Sequence, residues 1–268
     1  MTSLSDVLAG VRNADRAALI GYLPAGYPTA KEAASAMTAM VEAGVDVVEV
    51  GLPYSDPLMD GPTIQAAVDA ALRSGTSTVD VLDTVREVAT TGAPVLVMTY
   101  WNPVERYGVQ RFADDLAAAG GAGAITPDLP PDEAGPWLEA TDRAGLDRVF
   151  LVAPSSGDAR LRYTAEHCRG FVYAASTMGV TGARTSVGQA AEELVARLRV
   201  VTDLPVCVGL GVSSGGQAAQ VAAFADGVIV GSAFVRRMLD ARDAEDGARS
   251  VGELAAELAA GVRMGRPA

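Results

Sequence analysis

Histidine is nearly absent from this chain: 268 residues contain one, His167, and only two cysteines, Cys168 and Cys207. Two cysteines make no disulfide framework, and one histidine beside them supplies no ligand set at metal-site spacing. No metal is expected, and His167 reads as a surface or capping residue near a helix C-terminus. The scarcity of thiols suits a reducing compartment, so a cytoplasmic location is expected. Basic residues are in deficit, with Lys plus Arg at 21 against Asp plus Glu at 33, a net charge of −12. That argues against nucleic acid and against an anionic membrane surface as partners. It leaves room for a small anion held by backbone N–H groups. Long apolar runs are missing, so no bilayer span is expected, and the polar stretch Met1–Asn13, with Asp6, does not read as a signal peptide. Linkers and low-complexity tracts are missing too, so residues 1–268 are expected to form one domain.

What is present is apolar residues in short runs. Hydrophobic content is 49% and charged content 20%, enough for a large core. Runs at 17–23, 45–50, 94–100, 123–126, 148–153, 170–176, 205–211 and 227–232 read as eight strands. Each is followed by a helical pattern with a capping residue or a glycine stop. The runs are continuously apolar rather than alternating, which marks strands buried on both faces. Eight strand–helix units in this length predict an α/β fold, a (β/α)8 barrel, with a short N-terminal helix over 5–11 acting as a lid. A doubly wound sheet is the alternative.

One strand contains a misfit. Glu49 lies in Val47-Val48-Glu49-Val50-Gly51, where an ionised carboxylate is expensive to bury. A long Pro/Gly-punctuated loop follows and carries Asp60. In a barrel, chemistry sits at the C-terminal ends of the strands, and Glu49 is expected at such an end. Glu49 alone is equally a structural ion-pairing residue, and Asp60 alone is ordinary turn chemistry. Together they are two carboxyls in different settings, able to take different protonation roles. Glycines form a second constellation: Gly179-Val180-Thr181-Gly182 after strand six, Gly209-Leu210-Gly211 after seven, and Gly231-Ser232 after eight. Loops after the last two barrel strands are a recurring phosphate site, where glycine lets the backbone approach and helix N-termini supply N–H groups. Asp128, ending strand four, is either a loop anchor or part of the site. Tyr22, Tyr100 and Tyr173 fall near strand ends, as rim packing or as the wall of an aromatic pocket. No Ser-His-Asp arrangement is convincing.

The run Glu49-Val50-Gly51-Leu52-Pro53-Tyr54-Ser55-Asp56-Pro57-Leu58-Met59-Asp60-Gly61-Pro62-Thr63-Ile64-Gln65 closely resembles the signature of the tryptophan synthase alpha chain family. Ala25-Gly26-Tyr27-Pro28, Met98-Thr99-Tyr100-Trp101-Asn102-Pro103 and Asp128-Leu129-Pro130 extend the resemblance, as do the three glycine motifs. It implies a barrel lyase that cleaves indole-3-glycerol phosphate by retro-aldol chemistry into indole and glyceraldehyde 3-phosphate. Carried over, Glu49 is the general acid/base, protonating indole C3 and helping to take the glycerol hydroxyl proton. Asp60 accepts the indole N–H. Tyr173 matches a tyrosine that hydrogen-bonds near Asp60, and Thr181 a threonine that closes the site. Gly182, Gly211, Gly231 and Ser232 match a phosphate cradle, which the residue reading extends to Gly209.

The same resemblance places Pro53, Asp56 and Pro57 on a surface that docks on a beta chain. The expected assembly is a heterotetramer of two alpha and two beta chains. The cofactor, pyridoxal phosphate, belongs to the beta partner, and none is expected in this chain. Two departures stand out: Thr177, where many relatives have arginine, and Tyr22, near a position where many have phenylalanine. The alternatives are a stand-alone lyase that releases indole freely and a weakly active barrel kept to activate its partner.

Overall fold

The computed structural model describes residues 3–175 and 184–264. Among these residues nine parallel strands form one sheet: β1 (Ala18–Pro24), β2 (Val47–Gly51), β3 (Val95–Met98), β4 (Gly123–Ile125), β5 (Asp147–Val149), β6 (Leu151–Val152), β7 (Val172–Ala175), β8 (Val206–Gly209) and β9 (Gly227–Val230). Their order is β5-β4-β3-β2-β1-β9-β8-β7-β6, so the two edges of the sheet are consecutive in the chain. Only Phe150 separates them. β5 pairs with β4 and β6 with β7, which makes them two halves of one fifth strand and closes the ring as a (β/α)8 barrel. The expected strand 148–153 is therefore broken once. The Phe150 N–H donates to Cys168 Sγ at 3.5 Å while its carbonyl accepts from Tyr173 N.

The period-2 alternation of each strand sorts side chains between two cores. Ile20, Val47, Leu96, Ile125, Val149, Phe171, Cys207 and Ile229 fill the barrel interior. Val48, Val50 and Val97 face outward and pack with helix residues such as Met37, Val85, Phe112, Trp137 and Phe234. Since Val47 points inward, so does Glu49.

Helix α1 (Leu4–Asn13) is capped by Ser3, whose side chain accepts from Asp6 N. Its buried Leu4, Leu8 and Val11 join the barrel interior. Arg12 reaches Asp226, the residue before β9, and a Cβ on Gly170, just before β7, would meet Leu4. The helix therefore closes the barrel at the N-terminal ends of the strands. It is a floor, opposite the mouth, and not the expected lid. Burying each of its two leucines contributes about 2 kcal/mol. Arg16 reinforces the same floor with two 2.7 Å bonds to Asp46, whose Oδ2 also accepts from Leu19 N at 2.8 Å.

The remaining helices are α2 (Ala30–Glu42), α3 (Pro62–Arg73), α4 (Thr78–Ala89), α5 (Trp101–Tyr107), α6 (Val109–Ala118), α7 (Gly135–Ala144), α8 (Asp158–His167), α9 (Arg184–Arg199), α10 (Gly215–Ala222), α11 (Ser232–Asp240) and α12 (Ala244–Met264). Local caps start several of them where the sequence suggests. Thr29 caps α2, and Ser77 forms a reciprocal capping box with Asp80 at α4. α5 was not expected from the sequence, and α12 starts eight residues before the expected 252. Among the described residues no helix is long and apolar enough to cross a membrane.

Candidate active site

Glu49 is the third of five residues in β2, two short of its C-terminal end rather than at it. It is 1% exposed, and its Oε1 has no hydrogen-bond partner among the described residues. An unpaired buried carboxyl is held in its neutral form, because ionisation in low dielectric is unfavourable. Burial accordingly pushes its pKa up to about 8.

Its register neighbour on β1 is Tyr22. Tyr22 leans over β2 toward the mouth, and a Cβ on Gly51 would lie 2.4 Å from its hydroxyl oxygen. Only glycine leaves room for that phenol. The same arrangement recurs across the barrel. Tyr173 on β7 faces Cys207, and its hydroxyl lies 2.6 Å from where a Cβ of Gly209 would be. Burial is the main cause of a raised pKa for both phenols. The charges of Asp60 and Glu49 add to the effect at Tyr22, and that of Glu49 at Tyr173. Both carboxyls therefore converge on the Tyr22 phenol.

Asp60 lies on irregular chain just before α3. Tyr100, at the end of β3, fixes it: the phenol accepts from Met59 N at 2.9 Å and donates to Asp60 Oδ1 at 3.1 Å. Gln65 Nε2 donates to the Asp60 carbonyl at 2.8 Å. Partial burial raises the Asp60 pKa, and the Tyr100 hydrogen bond opposes the rise. The Tyr100 pKa moves up to about 12, chiefly through burial. The phenol donating to Asp60 is thus Tyr100; Tyr173 faces Glu49 instead.

Asp128 has a different task. Its Oδ1 accepts from Trp101 N at 2.9 Å, so it caps α5 from the loop after β4. This is the loop-anchor reading. No local start signal marks α5 in the sequence, because its cap lies 27 residues away rather than just ahead of it.

The start of the loop, Leu52 to Ser55, with α5 and the N-terminal end of α4, frames a groove of about 500 Å³. Pro53, Tyr54, Thr76, Asn102 and Arg106 line it. Asp56 is exposed and Pro57 half-buried. Leu58 is 78% exposed, an unusual setting for a leucine.

The two late helices differ in what their N-termini offer. At α10, Ser214 Oγ accepts from Gln217 N, Ser213 N donates to Gln217 Oε1, and Gly215 N donates to Glu257 Oε1. Those donors are taken. Gly211, at φ +66°, turns the chain toward them in a conformation that favours glycine. At α11, Gly231 and Ser232 open the helix with no side-chain cap, and a Cβ on Gly231 would lie 3.3 Å from the Tyr22 ring. Thr177, Thr181 and Gly182 lie outside the described residues. No group of three or more His, Cys, Asp or Glu able to hold a metal occurs among the described residues.

A parallel barrel with a buried carboxyl sunk in its mouth, a second carboxyl on the following loop and a helix start without a side-chain cap at the eighth strand has the architecture of a barrel enzyme. The comparisons specify which. The family model for the tryptophan synthase alpha chain matches residues 8–263. The tryptophan synthase alpha chain of Thermobifida fusca is 59% identical over 266 residues, covering 98% of each chain. That of Salinispora tropica is 62% identical over 252 residues, 94% of each. A crystal structure of tryptophan synthase from M. tuberculosis superposes with a TM-score of 0.90 at 55% identity, over 98% of this chain and 100% of that one. The subunit alpha structure from Legionella pneumophila gives 0.89 at 32% identity, over 98% of each chain. This chain belongs to the tryptophan synthase alpha chain family.

Proposed function

We propose that the chain is a lyase of L-tryptophan biosynthesis that cleaves indole-3-glycerol phosphate into indole and glyceraldehyde 3-phosphate, with the roles assigned as follows. The carbon–carbon bond to indole C3 breaks when the ring becomes electron-poor. Glu49 supplies a proton to C3, and the indole N–H donates to Asp60, whose negative charge offsets the charge developing on the ring. The bond electrons then return to the ring, and the glycerol hydroxyl gives its proton to the Glu49 carboxylate. The acid is regenerated, and no net proton is consumed.

The observation that carries this reading is Glu49 itself: buried, with Oε1 unpartnered among the described residues, and with its pKa raised to about 8. A carboxyl in that state at neutral pH is a proton donor. The neighbouring groups suit an aromatic substrate. Tyr22, Tyr100 and Tyr173 form the pocket wall. Gly231 and Ser232 hold the phosphate on the N-terminal N–H groups of α11, with Gly209, Gly211 and Gly182 contributing backbone close to it. Asp128 supports the wall by anchoring α5. Thr181 closes the site.

The beta chain docks on the groove and on Pro53, Asp56 and Pro57, in an assembly of two alpha and two beta chains. It carries the pyridoxal phosphate and consumes the indole, and the assembly works in the cytoplasm. The exposed Leu58 and Met59, on the same segment as Asp60, favour this arrangement over a free-standing lyase. The test is to give the full chain indole-3-glycerol phosphate, with and without a tryptophan synthase beta chain, and to measure both products. Equimolar indole and glyceraldehyde 3-phosphate are expected, faster with the beta chain present. No cleavage in either case would overturn the assignment. Gel filtration reads the docking, and chains that elute separately would overturn the assembly.

A further inference from the structure

An acid that gives up its proton in the dark interior of a barrel needs something to receive its negative charge. Glu49 is 1% exposed, and Oε1 has no partner among the described residues. Among the described residues, the groups that face it are Tyr22 from β1, Tyr173 from β7 and Cys207 from β8. Asp60, from the loop, and Tyr100, two residues past β3, act on Tyr22. Its other register neighbour, Leu96, is apolar. None of these is a cation, so the available donors are two phenols and a thiol. The Cys207 thiol belongs to the apolar barrel interior with Val47 and Ile229. The Tyr173 hydroxyl lies over Gly209 of β8, and three strands, β1, β9 and β8, stand between its own strand and β2.

Tyr22 is placed differently. It stands directly opposite Glu49 in the β1–β2 register. Its hydroxyl oxygen lies 2.4 Å from where a Gly51 Cβ would be, and Gly51 is on the same face of β2, two residues beyond Glu49. Two residues of strand are about 6.6 Å, and strand side chains lean along the strand. A glutamate with two methylenes ahead of its carboxyl covers most of that gap. On its other side the Tyr22 ring is held by Gly231, whose Cβ would be 3.3 Å away. The phenol is thus pinned between two glycines, over the carboxyl and below the mouth.

We propose that the Tyr22 hydroxyl is the donor that receives Glu49 when it is ionised, which makes Tyr22 a positioning residue for the acid–base step as well as a wall of the pocket. The inference rests on the reading of Glu49 as the acid. A donor to the ionised form lowers the pKa of an acid. Removing the donor raises it, so the high-pH limb of the rate profile moves upward, and the weaker acid works more slowly below that limb.

The experiment compares wild type, Tyr22→Phe, Tyr173→Phe and Glu49→Gln as full chains with the beta chain present. It records the kcat and KM for indole release from pH 6 to 10, and the Glu49 carboxyl titration by carbon-13 NMR. Tyr22→Phe removes one oxygen and keeps the ring, so the fold is retained. Its limb and its Glu49 titration are expected to move up by about one to two pH units. The kcat at pH 7 is expected to fall about tenfold or more, while KM changes less than about threefold. A limb and titration that stay in place in Tyr22→Phe, with Glu49→Gln inactive, would overturn this inference and leave the acid assignment standing. Movement in Tyr173→Phe alone would give the donor role to Tyr173 and overturn it as well. Full activity of Glu49→Gln would overturn the acid assignment itself, and this inference with it.

Discussion

Replacing Glu49 by glutamine should stabilise the protein, and by an amount that depends on pH. Burial raises the Glu49 pKa from 4.5 to about 8. A group whose folded pKa is raised binds its proton more tightly when folded. Its contribution is fully favourable below the unfolded pKa and is lost as pH rises through the folded one. The full loss is the shift, 8 − 4.5, at 1.36 kcal/mol per unit, about 5 kcal/mol. Most of it has accrued by pH 7, about 3 kcal/mol, and nearly all by pH 9. Glutamine has the same shape and never ionises, so it escapes the whole term. Its buried amide adds an offset that does not vary with pH, so the quantity to follow is the change between pH values. The assay is urea unfolding of wild type and Glu49→Gln at pH 5, 7 and 9, with the slopes compared to confirm similar exposed surface. The difference between the two proteins should grow by about 2–3 kcal/mol from pH 5 to 7 and by about 1–2 more to pH 9. A difference that stays constant across this range would refute the claim that Glu49 is buried as a neutral acid.

Other consequences follow from the same geometry. Asp60→Asn keeps the shape and removes the charge, and should lower kcat for indole release about a hundredfold. Tyr100→Phe deletes the hydroxyl that accepts from Met59 N and donates to Asp60. The Asp60 pKa then rises, so the acid limb of the rate profile should move to higher pH, with kcat down about tenfold. Gly51→Ala puts a methyl 2.4 Å from the Tyr22 hydroxyl. It should cost about 1–3 kcal/mol in urea unfolding and reduce kcat at least about tenfold, because the phenol must leave its place. Arg16→Ala breaks the Asp46 clamp on the barrel floor. It should lower stability by about 2–3 kcal/mol while leaving kcat of the folded enzyme within about twofold, since the floor is opposite the mouth.

The strands were legible because burial on both faces leaves a continuous apolar record, and Glu49 was legible because it interrupts one. The loop-borne position of Asp60 was legible from Pro and Gly spacing. Its partner was not. Tyr100 is 40 residues away, and only closure of the barrel brings the two together. The same holds for α5, whose cap, Asp128, arrives from the next strand's loop, so no local start signal precedes Trp101. The N-terminal helix illustrates a further gap. Its apolar stripe predicts that it covers something, but a stripe does not say which end of the barrel. Leu4 beside Gly170 and Arg12 beside Asp226 decide for the floor. The late glycine motifs looked alike in sequence. They differ because Gln217 and Glu257 occupy the donors at α10, and no side chain caps α11.

The central claim is that Glu49 donates the proton that breaks the substrate. Single-turnover release of indole from indole-3-glycerol phosphate, with the beta chain present, tests it in one comparison of wild type with Glu49→Gln. Glutamine keeps the size and burial of the side chain and removes the transferable proton. The account predicts a rate at least about a thousandfold lower with substrate still bound. A Glu49→Gln chain that released indole at the wild-type rate would contradict it.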